Sequence, residues 1–183
     1  MSRPSNARRA SQHGFSMIEV MVTLLVIALG LLGVSKLQAA SVSNTQVSRV
    51  RSMVSLQAGS LAAAMHANPA YWASGAAPAS FTLAGATVTD SSGVLSATLT
   101  TGACAGTGDA CTPAQIAARD VQAWATNFTA QLPTYTGTVS CTTSVPVNCQ
   151  INLSWSEKYV ATNTSTAQGT QSGTPGFSLF VTP

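Results

Sequence analysis

A 21-residue apolar run, from Phe15 to Ser35, constrains this chain more than any other feature of its sequence. The run contains a single charged residue, Glu19. At 1.5 Å per residue, a helix of that length measures about 30 Å, which is the thickness of the hydrocarbon core of a bilayer. The sequence therefore predicts a membrane-spanning helix over residues 15–36.

The residues before this run are basic. They include Arg3, Arg8 and Arg9, and no acid occurs among the first 14 positions. Positive flanks stay on the cytoplasmic side, so the rest of the chain is expected across the membrane. Beyond the basic segment five Lys and Arg residues balance five Asp and Glu residues, so the net charge of +3 belongs to that segment alone. The composition therefore predicts no basic face for binding nucleic acid.

Two simpler interpretations of the apolar run remain open. One is a secretory signal cleaved near Ala39 or Ala40, although Leu37 or Gln38 then occupies a position where a small residue is preferred. The other is a plain single-span anchor. Neither interpretation accounts for Glu19, unless that carboxylate lies at the membrane interface and helps to start the helix beside the positive end of its dipole.

The segment Gly14-Phe15-Ser16-Met17-Ile18-Glu19-Val20, preceded by a short basic leader, resembles the N-terminus of type IV prepilins. The resemblance implies that a prepilin peptidase removes residues 1–14 and N-methylates Phe15. It also implies that residues 15–36 remain, first as a membrane anchor and then in the core of a filament. Glu19 would then pair with the amino terminus of a mature chain, often that of a neighbouring subunit.

The helix is expected to continue beyond the membrane, because no proline occurs between residue 5 and Pro69. Apolar residues recur at spacings of three and four, which is typical of one helix face. We therefore predict one helix over residues 15–67, with residues 37–68 as its amphipathic continuation and residues 69–183 as a globular head. The residues of the predicted apolar stripe are Val47, Val50, Val54, Ala58, Leu61 and Met65.

The head has the sequence pattern of a small sheet with one more helix. Apolar and polar residues alternate over 94–100, 149–155 and 177–181, which predicts three strands. Thr112-Pro113 is typical of a helix start, and this second helix should end before Pro133. Residues 68–80 and 161–176 are predicted to be loops. The predicted fold class is α+β, type IV pilin-like: a long N-terminal helix packed on a small antiparallel sheet with one extra helix.

Four cysteines form two close pairs, Cys104 with Cys111 and Cys141 with Cys149. Zinc ligands usually lie two to four residues apart, so these longer spacings fit a metal site poorly, and we expect no metal and no cofactor. In a head outside the cytoplasm, disulfides are the default. Disulfides that close short loops favour the pairs 104–111 and 141–149, and the other two possible connectivities stay open.

A second resemblance concerns the head. Residues 111–124, together with Ala67-Asn68 and the alternating run that ends at Trp155, resemble the PilV group of minor pilins. This implies other minor pilins, the major pilin and the prepilin peptidase as partners. It also implies a single-pass inner-membrane protein with a periplasmic head that enters a surface pilus. In the simpler alternative, Asp120 is a surface acid and Trp124 a core aromatic residue.

The chain carries no recognisable catalytic motif. His66 is the sole histidine outside the leader, and neither G-x-S-x-G nor a phosphate-binding loop occurs, so no enzyme is expected. The expected function is that of a minor pilin, a structural subunit involved in type IV pilus assembly and initiation. One alternative is a minor pseudopilin of a type II secretion system. Another is a DNA-uptake or adhesive pilin, for which Lys158 and the loop 161–176 offer little support.

Overall fold

The computed structural model describes residues 14–98, Cys104, residues 111–160 and residues 170–183. Residues 1–13 of the expected leader lie outside this set. So do positions 99–100 of the predicted strand and 161–169 of the predicted loop. By its internal contacts the chain divides into two units, one ending at Val42 and the other comprising Ser43–Pro183.

In the first unit, the described residues form the start of a long helix, α1, which runs from Met17 to Ala67. The predicted helix is confirmed, with its first turn two residues later than expected. Every large apolar side chain from Phe15 to Leu37 is exposed. Over the described residues, α1 is the one helix long and apolar enough to cross a membrane. So continuous an exposed apolar surface is typical of a segment that contacts lipid or other proteins.

In the second unit, the remainder of α1 packs on the head. Val54, Ala58, Leu61 and Met65 of the predicted stripe are completely buried, and Val47 and Val50 are half-buried. The i, i+3, i+4 pattern is therefore confirmed as the face of α1 that enters the core. A four-residue helix, α2 (Pro69–Trp72), follows inside the segment that we predicted to be a loop.

A second long helix, α3, runs from Pro113 to Gln131, as predicted. Its first turn is closed by a capping box: the Gln115 N–H donates to Thr112 Oγ1 at 3.3 Å, and the Thr112 N–H donates to Gln115 Oε1 at 2.9 Å. Phe128 of α3 packs against Trp124 and Tyr135, with ring centroids 5.1 and 4.3 Å away.

The strands of the described part of the head are β1 (Ser80–Ala84), β2 (Thr87–Asp90), β3 (Thr136–Cys141), β4 (Cys149–Ser154), β5 (Glu157–Val160), β6 (Thr170–Gly173) and β7 (Gly176–Val181). Five of them form an antiparallel sheet with the strand order β2-β1-β3-β4-β7. One face of this sheet covers the core and the other is largely exposed and polar, and the α+β fold class is confirmed. A separate antiparallel pair, β5–β6, follows β4 and precedes β7 along the chain. The two pairs meet at Trp155, whose backbone N–H donates to the Pro175 carbonyl at 3.3 Å.

Besides the short helix α2 within the predicted loop 68–80, two further predictions for the head are wrong. The predicted loop 161–176 contains β6, because β5 supplies a pairing partner that the polar sequence did not reveal. The predicted strand 94–100 is a turn followed by irregular chain over its described part, residues 94–98. The predicted strands 149–155 and 177–181 are confirmed, as Cys149–Ser154 and Gly176–Val181.

Asp90 explains the turn that replaces the predicted strand. Its carboxylate accepts hydrogen bonds from the backbone N–H groups of Val94 at 3.1 Å and Ser96 at 3.0 Å, and from the Ser92 hydroxyl. Burial raises the pKa of Asp90, but hydrogen bonds, chiefly those with Ser92 and Ser96, together outweigh it and lower the pKa below its ordinary value. A side chain that satisfies the backbone locally competes with pairing in a sheet.

Gly137 in β3 faces the core, where a side chain has no room. A Cβ atom there would lie 2.9 Å from Leu153 Cδ2 and 3.3 Å from Leu83 Cβ. We expect Gly137→Ala to lower the free energy of unfolding by about 1–2 kcal/mol, because the core must shift to accept it. Urea unfolding of the full chain in detergent, followed by tryptophan fluorescence, measures this.

The matched control for this substitution is Gly59→Ala. A Cβ atom at Gly59, on the exposed side of α1, meets nothing within 4 Å. The control should raise stability by about 0.5–1 kcal/mol, because alanine has the higher helix propensity. Equal stability of Gly137→Ala and the wild-type chain would contradict the close packing of β3 on its neighbours.

Candidate functional site

Three of the predicted site residues lie together at the start of α1. The Ser16 carbonyl accepts the first helical hydrogen bonds, from the Glu19 N–H at 3.0 Å and the Val20 N–H at 3.3 Å. Gly14 and Phe15 therefore precede the helix, and both are exposed, Phe15 to 83%. The peptide bond between them lies in an exposed segment before the helix.

Nothing in the described chain requires a glycine at position 14. A Cβ atom there would meet no atom within 4 Å, and the backbone does not have the positive φ angle that favours glycine. If glycine is needed at position 14, the reason would therefore be the fit of this segment into a protein that binds it, and not the fold of the described chain. A glycine leaves the following peptide bond free of a neighbouring side chain.

Glu19 lies in the first turn of α1 and its side chain is exposed. The N-terminal end of a helix carries a partial positive charge, which favours a carboxylate at this position. The surrounding residues are apolar and would lie in lipid or against another apolar helix. In such surroundings a carboxylate needs a cation, and neither ion pair of the described residues includes Glu19.

Both local disulfides are present in the structure, Cys104–Cys111 and Cys141–Cys149. Cys141 and Cys149 face each other across β3 and β4, so this bridge links two neighbouring strands next to the turn that joins them. Over the described residues, no group of three or more His, Cys, Asp or Glu side chains could hold a metal ion.

Residues of the second resemblance connect α3 to the C-terminal part of α1. The Asn68 side chain donates to the Pro113 carbonyl at 2.7 Å, and Trp124 Nε1 donates to the Gln57 carbonyl at 2.9 Å. Trp124 is therefore a buried core residue that also holds the two helices in register. Asp120 contacts its neighbour Arg119 at 3.2 Å on the surface.

A further link joins β5 to α1 through a buried carboxylate. Glu157 is 6% exposed and accepts hydrogen bonds from Arg51 Nε at 3.1 Å and Arg51 Nη2 at 2.8 Å. Trp155 Nε1 donates to the same carboxylate at 3.1 Å. The hydrogen bond from Arg51 lowers the pKa of Glu157, burial acts in the opposite direction, and the net shift is downwards.

This ion pair was not predicted, although the sequence held a signal for it. Trp155 and Glu157 are two residues apart in an extended segment, so both face the same way, and an inward carboxylate needs a partner. Arg51 follows Val50 at the edge of the apolar stripe of α1. The two signals lie 106 residues apart, and nothing in the sequence joins them.

One comparison with known proteins gives a match. Residues 9–35 match the family model described as the prokaryotic N-terminal methylation motif. No curated protein matches the chain, and no solved structure matches it. The match covers the predicted cleavage position, Glu19 and the apolar run, whereas the head lies outside it. The methylation motif and the α+β architecture together indicate a type IV pilin or pseudopilin.

Proposed function

We propose that this chain is a minor pilin of a type IV pilus, of the PilV kind, which acts as a structural subunit in pilus assembly and initiation. The observation that carries the proposal is the N-terminal segment. It combines an accessible Gly14–Phe15 bond, a carboxylate in the first helical turn and a wholly exposed apolar helix within the methylation motif.

The proposed processing supplies the cation that Glu19 lacks. Cleavage after Gly14 makes the Phe15 nitrogen the new amino terminus, and N-methylation leaves it positively charged. Phe15 and Glu19 are four residues apart, about one helical turn. The new terminus of one subunit can therefore meet Glu19 of an adjacent subunit whose helix is shifted by about one turn.

The pairing would set the axial position of each subunit. An apolar helix gains little by moving from lipid to an apolar filament core, so packing and charge pairing must drive assembly. A carboxylate and an ammonium in apolar surroundings are tolerated when they pair and are costly apart. Glu19 is thus proposed to select one axial offset between neighbouring subunits.

The proposed location follows from the same features. The uncleaved precursor is a single-pass inner-membrane protein whose head lies in the periplasm, where two disulfides suit the oxidising surroundings. Its proposed partners are the prepilin peptidase, the major pilin and other minor pilins. We propose no enzymatic activity and no cofactor. A minor pseudopilin of a type II secretion system is the alternative, because the methylation motif fits both kinds of subunit equally.

The test is mass spectrometry of the N-terminal peptide, in sheared surface filaments and in membranes separately. We expect N-methylated Phe15 in both fractions. The same species confined to membranes would favour the pseudopilin alternative. A chain that retains Met1, or that begins near Ser41, would overturn processing after Gly14.

A further inference from the structure

The face of the five-stranded sheet that points away from the core is polar and uncharged. Alternate residues of each strand point to this face, as the burial patterns of β1, β3 and β7 show. They are Ser, Thr, Asn or Gln at every position except Ala84, Gly176 and Phe180. A ligand on this face would therefore meet hydroxyl and carboxamide groups, and no charged side chain from these five described strands.

A shallow depression of about 230 Å³ lies on this face, across β3, β4 and β7. Gly176 keeps it open at the edge of the sheet, because glycine has no side chain to fill it. The polar part of its lining includes Thr136, Asn152, Ser154 and Ser178. Pockets for drug-sized ligands measure about 300–1,000 Å³, so this depression fits a single small ring.

Hydrogen bonds among these side chains fix what the depression offers to a ligand. Ser178 Oγ donates to Asn152 Oδ1 at 2.6 Å, so the Asn152 NH₂ group is directed away from Ser178 and can donate. Thr136 Oγ1 and Ser154 Oγ are 2.8 Å apart, and one of these hydroxyls donates to the other. The accepting hydroxyl keeps its own proton for a further acceptor. The lining therefore presents hydrogen-bond donors and acceptors side by side.

Phe180 adds an apolar surface next to this polar lining. Its side chain is 75% exposed, and it lies opposite Gln150 and two residues beyond Ser178 along β7. The Phe180 side chain also lines a second depression, of about 290 Å³, together with Gln150 and Asn148. Residues two apart in a strand are separated by about 7 Å, so the two depressions are neighbours along β4 and β7.

We propose that this face binds a neutral oligosaccharide, with one sugar ring in the depression beside Gly176 and a following ring against Phe180. This inference goes beyond the proposed function and does not rest on it. Each sugar hydroxyl both donates and accepts hydrogen bonds, which matches the mixed lining of the first depression. The C–H groups on one side of a sugar ring form an apolar surface that can pack on an aromatic ring.

The chemistry of this face does not suit other classes of partner. Nucleic acids and anionic lipids are held by Lys and Arg, which none of the five described strands presents here. Interfaces between proteins are enriched in aromatic residues, Met and Arg and depleted of Ser, whereas Ser and Thr dominate this face. A neutral ligand with many hydroxyl groups matches both the uncharged polar lining and the exposed ring of Phe180.

The test is saturation-transfer NMR of maltotriose, cellotriose and triacetylchitotriose with the full chain, in a detergent whose head group is not a sugar. We expect saturable binding of at least one of these neutral trisaccharides at millimolar concentration, because shallow depressions leave much of the ligand in water.

Gly176→Val should weaken this binding by about tenfold or more, because its side chain enters the depression. The fold has room for the change, since a Cβ atom at Gly176 meets the Leu153 carbonyl oxygen at 3.7 Å, an ordinary contact. The matched control is Ala84→Val, which lies in the same cross-strand row of this face but lines neither depression. The control should bind as the wild-type chain does.

A second variant tests the aromatic contact. Phe180→Ala should weaken binding by about fivefold, which is the effect of losing one aromatic packing contact. Its control is Leu56→Ala, which removes a leucine that is 74% exposed on α1 and should leave binding unchanged. Urea unfolding should show that all four variants remain folded.

Two results would overturn the proposal. One is the absence of binding by all three trisaccharides, and the other is binding that neither Gly176→Val nor Phe180→Ala weakens. Neither result depends on N-terminal processing, so the proposed function could stand or fail independently.

Discussion

Glu19→Ala is expected to leave cleavage after Gly14 intact and to reduce incorporation into filaments by about a hundredfold or more. The variant leaves the new ammonium group of Phe15 without a partner in apolar surroundings. Breaking a buried ion pair in this way costs about 3–5 kcal/mol, and each 1.4 kcal/mol corresponds to a factor of ten. The measurement is the amount of subunit in sheared filaments relative to membranes, with the N-terminal mass determined in both.

Two further substitutions separate charge from packing. Glu19→Gln keeps nearly the same shape without the charge, so it should impair incorporation almost as strongly. Thr23→Val lies one turn further along α1, where the Thr23 hydroxyl donates to the Val20 carbonyl of its own helix at 2.9 Å. This control should assemble normally. Normal incorporation of Glu19→Ala would exclude a role in setting the axial position.

Gly14→Val distinguishes processing from assembly. The described chain has room for a side chain at position 14, so the substitution should leave its fold unchanged. If a peptidase binds this segment closely, cleavage is expected to fail, and the uncleaved precursor should collect in membranes. Processing of Gly14→Val at the normal rate would contradict a peptidase that requires glycine.

Local signals in the sequence predicted the helices well. The helix over residues 15–67 was predicted from the absence of proline and from the spacing of Val54, Ala58, Leu61 and Met65. Both signals involve residues that lie within one or two helical turns of each other. The start of α3 followed from Thr112-Pro113, whose capping box is complete within four residues. The N-terminal motif is likewise contiguous, so its residues can be identified from the sequence alone.

The sheet was predicted less well because its determinants are not local. β1 and β3 are rich in Ser, Thr and Gly, and they are strands because they pair with each other and with β4. Conversely, the alternation at 94–100 suggested a strand, but Asp90 satisfies the backbone N–H groups there and forms a turn. The contact between Arg51 and Glu157 needs the complete fold before it can be recognised.

Arg51→Met is expected to lower the free energy of unfolding near pH 7, because the Glu157 carboxylate stays buried and loses its charged partner. Methionine keeps much of the apolar stem of the arginine, so the loss reflects Glu157 and not a cavity. The control is Arg49→Met, two residues earlier on α1, which forms neither of the ion pairs in the described chain. Urea unfolding of the full chain in detergent should show almost no change for this control.

The pH dependence identifies the carboxylate as the cause. In the wild-type chain the pKa of Glu157 is lower in the folded than in the unfolded state. The ionised Glu157 carboxylate therefore contributes its full stabilisation above the ordinary glutamate pKa of about 4.3. This stabilisation is lost as the pH falls through the lower pKa of the folded state. In Arg51→Met, the Glu157 carboxylate is buried without a cation, which should raise its pKa. Protonation of Glu157 in acid should then remove the cost of burying an unpaired charge. The two stabilities should therefore converge as the pH falls from about 7 to about 3. A difference that stays constant over this range would show that Arg51 acts through packing alone.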